Sequence, residues 1–124
     1  MLFALGMFVF DSSTVLPDAL SRRRDWRHER SERFGARAAS QFTGPGEDKI
    51  SLKGSLVPEL LGDYSSLERL AEMAEEGEAY PLLDGRHMNL GTFTIDAIDE
   101  DKSNMIDDGR ARKNDFTIYL TRVG

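Results

Sequence analysis

Hydrophobic and polar residues follow the two-residue period of β-strands along most of this chain. Residues 2–10 are apolar at nearly every position, so we predict one strand whose two faces are both covered, by the core and a helix or by a second subunit. Residues 22–34 are polar on both faces and rich in arginine, which favours a strand over a helix. Residues 50–56 alternate and end before Pro58, which indicates a half-buried strand.

A glycine–proline–glycine break at residues 44–46 separates two strand-like segments. A phosphate-binding loop would need a lysine followed by serine or threonine and then a helix, whereas Lys49 is followed by Ile50 and a strand. Proline also lacks the backbone N–H that such a loop uses. We therefore predict a hairpin turn at residues 44–46, with Glu47 and Asp48 at its exposed tip.

One segment, residues 65–76, has the pattern of an amphipathic helix. Ser65 and Glu68 have the spacing of a capping box, in which each side chain binds a backbone N–H at the start of a helix. Four apolar residues recur at the spacing of one helical face: Leu67, Leu70, Ala71 and Ala74. Glutamates occupy the opposite face, and Gly77 stands where a C-terminal cap is expected.

The last third of the chain returns to the β pattern. Residues 92–98 and 116–121 alternate, residues 79–83 suggest a short strand, and an Asp-Asp-Gly triplet at residues 107–109 signals a turn. This order predicts an α+β fold that is mainly β: an antiparallel β-sandwich or open barrel with one amphipathic helix at about residues 65–76. Neither a linker nor a repeat divides the sequence, so we predict a single domain over residues 1–124.

Charge is unevenly distributed along the chain. The formal net charge is −6, yet residues 21–40 hold seven arginines against three acidic residues, a local charge of +4 that leaves −10 for the rest. Such a dipolar chain can pair head to tail with copies of itself or meet two oppositely charged partners. The absence of cysteine excludes disulfides, zinc–thiolate sites and thiol catalysis.

The apolar N-terminal segment is interpreted as a strand and not as a targeting signal. The first positively charged side chain is Arg22, and the small-residue cleavage pattern of a signal peptide does not follow. The segment is also about half as long as a membrane-spanning helix. We therefore expect synthesis in the cytosol and no membrane insertion.

The motifs of the chain do not predict a catalytic, cofactor-binding or metal-binding site. Residues 99–104 begin like a calcium-binding EF-hand loop, but position six is Asn104 instead of glycine and position twelve is Arg110 instead of glutamate. We interpret this segment as an acidic, solvated loop. His28 and His87 are the only histidines, and neither has a second ligand at metal-binding spacing. We predict a protein that has no cofactor and is not an enzyme.

The arginine-rich segment is the strongest candidate for contact with a partner. Arginines around Trp26 suit either nucleic acid, through phosphate pairing and stacking, or a subunit interface. Interspersed acidic residues and the acidic net charge favour the interface, and a small nucleic-acid-binding module using residues 22–37 stays open as an alternative. The interface candidates are Phe3, Leu5, Met7, Val9, Arg24, Trp26, His28, Arg30, Glu47 and Asp48.

Several segments together, in their order and spacing, resemble the tail protein U (GpU) family of contractile-tailed temperate bacteriophages. They are ALGMFVF at residues 4–10, LP at 16–17, WRH at 26–28, GAR at 35–37, QFTGPG at 41–46, ISLKG at 50–54, PEL at 58–60 and FTIYLTRV at 116–123. The resemblance covers essentially the whole chain, and between residues 84 and 114 it is mostly a general strand pattern. Members of this family also occur in phage-derived contractile bacteriocins.

The resemblance implies a structural protein of the virion with the phage tail-tube fold. Tail tubes are stacked hexameric rings of small β-barrels, so the implied partners are further copies of the chain in a ring, the tail tube protein and the baseplate hub protein, with contact to the tape-measure protein. The placement of the family between tape measure and hub implies a tube initiator, and a completion ring at the opposite end of the tail is the alternative. Phage DNA would pass through the lumen without specific binding, because surplus negative charge repels phosphates.

Overall fold

Seven strands and one helix lie within the residues that the computed structural model describes, which are 3–11, 14–15, 17–33, 35–56, 64–105 and 111–124. In chain order the elements are β1 (Phe3–Leu5), β2 (Phe8–Phe10), β3 (Pro17–Arg33), β4 (Ala36–Leu56), α1 (Tyr64–Glu75), β5 (Ala79–Asp84), β6 (Asn89–Met105) and β7 (Ala111–Arg122). Within this part of the chain, no helix has the length and apolar character needed to cross a membrane.

The strands form one hydrogen-bonded sheet in the order β2-β1-β5-β6-β7-β4-β3, and every neighbouring pair is antiparallel. The predicted mainly β, antiparallel fold with one helix is therefore confirmed. Because β2 and β3 stand at opposite edges, the sheet is open and is not closed into a barrel.

The apolar N-terminal segment forms a tight hairpin, so the prediction of one continuous strand over residues 2–10 is wrong. Gly6 has a φ of 59°, which L-residues rarely adopt, and its N–H donates to the carbonyl of Pro81 over 2.9 Å. A Cβ at Gly6 would lie 2.9 Å from Cδ1 of Tyr80. The chain reverses at residues 6–7, and β1 consequently pairs with both β2 and β5.

The arginine-rich segment is a strand, as predicted, and forms a long hairpin with the strand that follows. β3 and β4 pair from Pro17 opposite Gly54 to Arg33 opposite Ala36, and the chain reverses at Gly35, which has a φ of 67°. The prediction of a hairpin turn at residues 44–46 is therefore wrong, since these residues lie inside β4.

Proline fits inside β4 because the strand has two hydrogen-bonded neighbours only along part of its length. β7 pairs with β4 over residues 49–56, whereas residues 36–48 pair with β3 on one side. The pairing register shifts on both sides of Trp26, which lies opposite Pro45. At each shift β4 has one residue more than β3, and this residue forms a β-bulge. We call the two-stranded part, residues 24–33 and 36–48, the arm.

The hydrophobic core lies on one face of the sheet, beneath α1. Alternate residues of β4, β6 and β7 contribute the buried side chains Ile50, Leu52, Leu56, Phe93, Ile95, Phe116, Ile118 and Leu120. The intervening residues point to the opposite face, which we call the polar face. On β4 and β7 they are Lys49, Ser51, Lys53, Ser55, Asp115, Thr117, Tyr119 and Thr121. One buried and one hydrated face is the usual state of an antiparallel sheet.

α1 confirms the predicted helix and begins at Tyr64, so Ser65 lies in its first turn. The N-cap position before Tyr64 lies outside the described residues. Leu67 and Leu70 are buried in the core, as the apolar stripe predicts. Gly77, with a φ of 69°, follows the helix, and its N–H donates to the carbonyl of Ala74 over 3.1 Å, so the predicted C-terminal cap is present.

The strands predicted in the last third of the chain are confirmed within β5, β6 and β7. The predicted turn at residues 107–109 lies outside the described residues. The interpretation of residues 99–104 as a loop is wrong, because this segment continues β6. Asp99 lies opposite Thr117 and Asp101 opposite Asp115, so β7 supplies the backbone hydrogen bonds that a loop would lack.

An ion pair joins the base of the arm to the sheet. Arg22 donates to Asp48 twice, from Nε to Oδ1 over 2.9 Å and from Nη2 to Oδ2 over 2.6 Å. Nη1 of Arg122, in β7, lies 3.6 Å from the same Oδ2. The Asp48 side chain is 12% exposed, so its predicted place at an exposed tip is wrong. Hydrogen bonding to Arg22 lowers the pKa of Asp48 below its ordinary value.

The substitution Gly46→Ala tests the close approach of the two arm strands. A Cβ at Gly46 would lie 1.7 Å from Oδ1 of Asp25, the atom that accepts a hydrogen bond from the Glu47 N–H over 2.6 Å. We expect Gly46→Ala to lower the free energy of unfolding by about 1–3 kcal/mol in urea denaturation. The same substitution in an Asp25→Ala background should cost less, and an equal cost in both backgrounds would contradict this account.

Asp48→Asn tests the ion pair through pH. Because the folded-state pKa of Asp48 is lowered, its stabilisation is fully present above the unfolded pKa of about 3.9 and is lost as the pH falls through the folded-state pKa. We expect Asp48→Asn to lower the free energy of unfolding by about 1 kcal/mol between pH 5 and 7, and by progressively less below about pH 4.

The matched control is Glu47→Gln, which removes an exposed carboxylate that lies 3.2 Å from Nζ of Lys49. Urea denaturation at several pH values should give a difference from wild type near zero for this variant. An Asp48→Asn deficit that stayed constant down to pH 2 would rule out the ion pair as its cause.

Candidate assembly surface

The arm extends beyond the part of the sheet that has more than two strands. Within the described strands, β7 pairs with β4 only from residue 49, so residues 24–33 and 36–48 pair with each other alone. Every side chain of β3 from residue 26 to residue 31 is exposed. A ribbon of two strands is marginally stable in water, because neither face is covered. The arm is therefore a surface that a contacting molecule would stabilise.

An aromatic cluster, defined here as Trp26, His28 and Phe42, lies on the arm. The Trp26 side chain is 56% exposed and Phe42 is 58% exposed. His28 lies directly opposite Phe42, with ring centroids 5.4 Å apart at an interplanar angle of 61°. Large aromatic side chains that stay this exposed are the residue type that supplies most binding energy at protein interfaces.

Arginines surround the aromatic cluster. Four of them have described, exposed side chains, and none of the four forms an ion pair with another described residue: Arg23, Arg24, Arg27 and Arg30. Arg33 and Arg37 occupy further positions of the same two strands. Along β3, Arg24, Trp26, His28 and Arg30 follow one another at every second position and so project from one face. We call these four residues the arm row.

The N-terminal interface candidates lie at the opposite edge of the sheet. Met7, at the turn between β1 and β2, is 87% exposed, and Val9 is 37% exposed. Phe3 is partly buried against the core. Leu5 lies within the core with no exposed surface, so it belongs to the protomer's own packing. Of these four candidates, the two on β1 pack against the core. Only the two that follow Gly6, Met7 and Val9, are exposed.

The predicted candidates therefore fall into two groups. The arm carries Arg24, Trp26, His28 and Arg30 together. Glu47 is exposed beside its base, while the Asp48 carboxylate is bound by Arg22. Phe42 is not among the predicted candidates, because the predicted hairpin turn lies about ten residues further along the chain than the observed turn at Gly35. Pairing residues 26–33 across Gly35 would have put Phe42 opposite His28 and revealed the cluster.

Acidic side chains cover one part of the polar face. Asp96, Asp99 and Asp101 project from β6, and Asp115 projects from the neighbouring β7. Asp96 accepts hydrogen bonds from the hydroxyl groups of Thr94 and Thr121. Partial burial and the nearby Asp99 carboxylate raise the pKa of Tyr119 on the same face. In the described parts of the chain, these acidic residues do not form a group able to hold a metal ion.

Two comparisons of the sequence with known proteins concern nearly the whole chain. Residues 6–124 match the family model described as Phage P2 GpU. A probable tape measure protein of the Halomonas phage phiHAP-1 is 33% identical over 119 residues. That match spans 94% of this chain but 14% of the relative, so the chain corresponds to a small part of a much longer protein.

The fold is similar to that of chains in assembled particles. One belongs to the virion of a native gene transfer agent particle, with a TM-score of 0.64, 16% identity and coverage of 99% of this chain and 90% of that chain. Another belongs to the tail of an empty gene transfer agent particle with C6 symmetry, with a TM-score of 0.63, 17% identity and the same coverage of both chains. At such low identity these similarities concern the fold. The match over residues 6–124 places the chain in the phage P2 GpU family, and it is a structural protein of the phage tail.

Proposed function

We propose that this chain forms a ring in a contractile phage tail, at the junction between the tail tube and the baseplate hub. The observation that carries the proposal is the arm, a basic ribbon with exposed aromatic side chains at one edge of an open sheet. Such a surface suits a partner protein. The proposed role is to start the tube on the hub, and it is non-enzymatic.

The two ends of the sheet favour a ring over a two-fold dimer. β3, with the arm, forms one edge of the sheet, and the short β2 forms the other. When two different surfaces of the same chain bind each other head to tail, the contact repeats, and it closes into a ring if the rotation allows. The tail of the gene transfer agent particle has C6 symmetry, which supports six copies per ring here.

The polar face is the proposed lining of the lumen. Asp96, Asp99, Asp101 and Asp115 bring negative charge to this face, while the apolar face is covered by α1. Phage DNA is negatively charged along its whole length, so an acidic wall lets it pass without specific binding. Lys49 and Lys53 lie on the same face, on β4, and are exposed. Alternating columns of charge would keep the net attraction to phosphates low.

The tape-measure protein is a further proposed partner. In the Halomonas phage relative, a segment similar to this chain is part of a probable tape measure protein. Covalent linkage gives two segments a high effective concentration, which suits units that work in contact. Where this chain and the tape-measure protein are separate molecules, they would contact each other at the point where the tape measure emerges from the tube.

Two other functions are kept as alternatives. A completion ring at the opposite end of the tail would use the same arm and the same head-to-tail contact. The unpaired arginines of the arm favour a small nucleic-acid-binding module as the second alternative.

Negative-stain images of this chain mixed with tail tube and hub proteins distinguish the two ring positions. Rings between hub and tube support the proposal, and rings capping the far end of the tube favour the completion ring.

Persistent monomers in the presence of both proteins would overturn ring formation altogether. The nucleic-acid alternative predicts binding to a DNA duplex or single strand that weakens steeply as salt rises. Fluorescence anisotropy with labelled DNA at low salt tests it, and a failure to bind removes it.

Trp26→Ala tests whether the aromatic cluster supplies the binding energy. Trp26 is 56% exposed in the protomer, so its loss should leave the melting temperature of the isolated chain within about 2 °C of wild type. Burial in an interface makes the same side chain worth about 2 kcal/mol or more, which weakens assembly about thirtyfold. Analytical ultracentrifugation with the hub protein measures the change.

The matched control is Met88→Ala. Met88 is 61% exposed and lies next to the turn between β5 and β6, away from the arm. This variant should assemble as wild type does. If Trp26→Ala assembled as well as Met88→Ala, the aromatic cluster would not be part of the interface.

A further inference from the structure

We propose that the arm of each copy lies along the glutamate-rich face of α1 in the next copy of this chain. The inference rests on the proposed ring, and it identifies both halves of the contact that closes it. The arm row supplies cations and aromatic side chains, and α1 supplies the anions that receive them.

The exposed surface of α1 carries a net negative charge, although Arg69 is also exposed on the helix. Five glutamates lie on it or directly after it, and all are exposed: Glu68, Glu72, Glu75, Glu76 and Glu78. None of them forms an ion pair with another described residue. Glu76 accepts a hydrogen bond from the Tyr80 hydroxyl over 2.8 Å, which raises the pKa of Tyr80 but adds no positive charge.

The placement of these glutamates is unfavourable for the isolated helix. Glu72 is four residues from Glu68 and from Glu76, and like charges at that spacing repel each other across a helical turn. The last turn of α1 contains no basic residue. Glu75 and Glu76 therefore add negative charge at the end where the helix dipole is already negative. A cationic partner along this face would relieve both effects, so the helix is arranged to receive one.

α1 lies over a different part of the sheet from the strands that form the arm. α1 packs over β6 and β5, where the Tyr80 hydroxyl donates to the Met73 carbonyl over 3.4 Å. The guanidinium of Arg69 also lies 6.0 Å from the ring centroid of Phe8 in β2. In the sheet order, β7 separates this half from the β4–β3 edge that carries the arm. A contact between arm and helix therefore joins two copies, head to tail.

The two surfaces also match in length. α1 has 12 residues, which corresponds to about 18 Å at a helical rise of about 1.5 Å per residue. From Arg24 to Arg30 the arm row spans about 20 Å at a strand rise of about 3.3 Å per residue. An arginine at each end of the row would reach a different turn of α1, while Trp26 and His28 would pack against the helix between them. Charge at the rim and aromatic side chains at the centre are the usual arrangement of an interface.

A charge exchange between the two surfaces tests the proposal. Arg30→Glu alone and Glu72→Arg alone should each weaken assembly with the hub protein about tenfold or more at low salt, because each places like charges in contact. The double variant Arg30→Glu/Glu72→Arg restores opposite charges and should assemble to within about threefold of wild type. Sedimentation velocity measures the assembled fraction, and circular dichroism confirms that each variant is folded.

Arg86→Glu is the matched control for the arm substitution. Arg86 is exposed in the turn between β5 and β6 and lies outside both surfaces, so the same change of net charge should leave assembly unchanged. If every single variant formed rings as wild type does, the proposed arm–helix contact would be wrong, while the proposed ring would stand. Absence of rings in wild type would instead overturn the proposed function. A weakened single variant without rescue in the double variant would assign Arg30 to another partner.

Cysteine cross-linking gives a second, independent measurement. The chain contains no cysteine, so Arg30→Cys/Glu72→Cys introduces the only two thiols. Oxidation of assembled particles should give a ladder of covalent multimers on a denaturing gel, because each copy links to the next. The control pair Arg86→Cys/Glu72→Cys should stay monomeric under the same conditions. Monomers alone from the test pair, in particles that contain rings, would overturn the arm–helix contact.

Discussion

The point at which β4 loses its second hydrogen-bonded neighbour determines most of what this molecule presents to others. From residue 49 onward β4 lies between β3 and β7, and its alternate side chains enter the core. Before residue 49 the same strand pairs with β3 alone among the described strands, and the side chains of β3 from residue 26 to residue 31 are exposed. One pair of strands therefore serves as the edge of a stable sheet and as a projecting ribbon. The Arg22–Asp48 ion pair lies at the boundary and ties the ribbon to the sheet.

Charge is also separated within the protomer. The arm carries the arginines, while the glutamates lie on a helix that packs over β6, the central strand of the sheet. Among the described residues, the exposed arginines of the arm and the glutamates of α1 do not form ion pairs. The ion pairs near the arm join Arg22 to Asp48 and Lys49 to Glu47. Opposite charges that stay unpaired on separate surfaces of one copy stabilise an assembly of copies more than the single copy, since the assembly can bring them together.

The sequence predicted the fold class, the helix and the C-terminal strands, because those elements follow from side-chain periodicity. It did not predict where the chain reverses. Residues 44–46 have stronger turn composition than Gly35, but a bulge inside an unsupported strand tolerates the same residues, and local composition does not distinguish the two. The N-terminal hairpin was missed for a related reason, since only the contact of Gly6 with Pro81 and Tyr80 shows that the apolar run must turn. Trp26 was identified as a candidate and Phe42 was not, because its pairing with His28 depended on that reversal.

An unsupported ribbon with open backbone edges is also a hazard, since other strands can pair with it nonspecifically. The arm limits this in three ways that its sequence makes visible. Pro45 removes a backbone donor, the bulges around Trp26 twist the edge out of register, and charged side chains repeat along β3. Together these features make extension of the sheet by an arbitrary strand unfavourable, while a partner that binds side chains is unaffected. The arm is thus built for recognition through its side chains, and a helix, which offers no free backbone edge, fits that requirement better than a strand does.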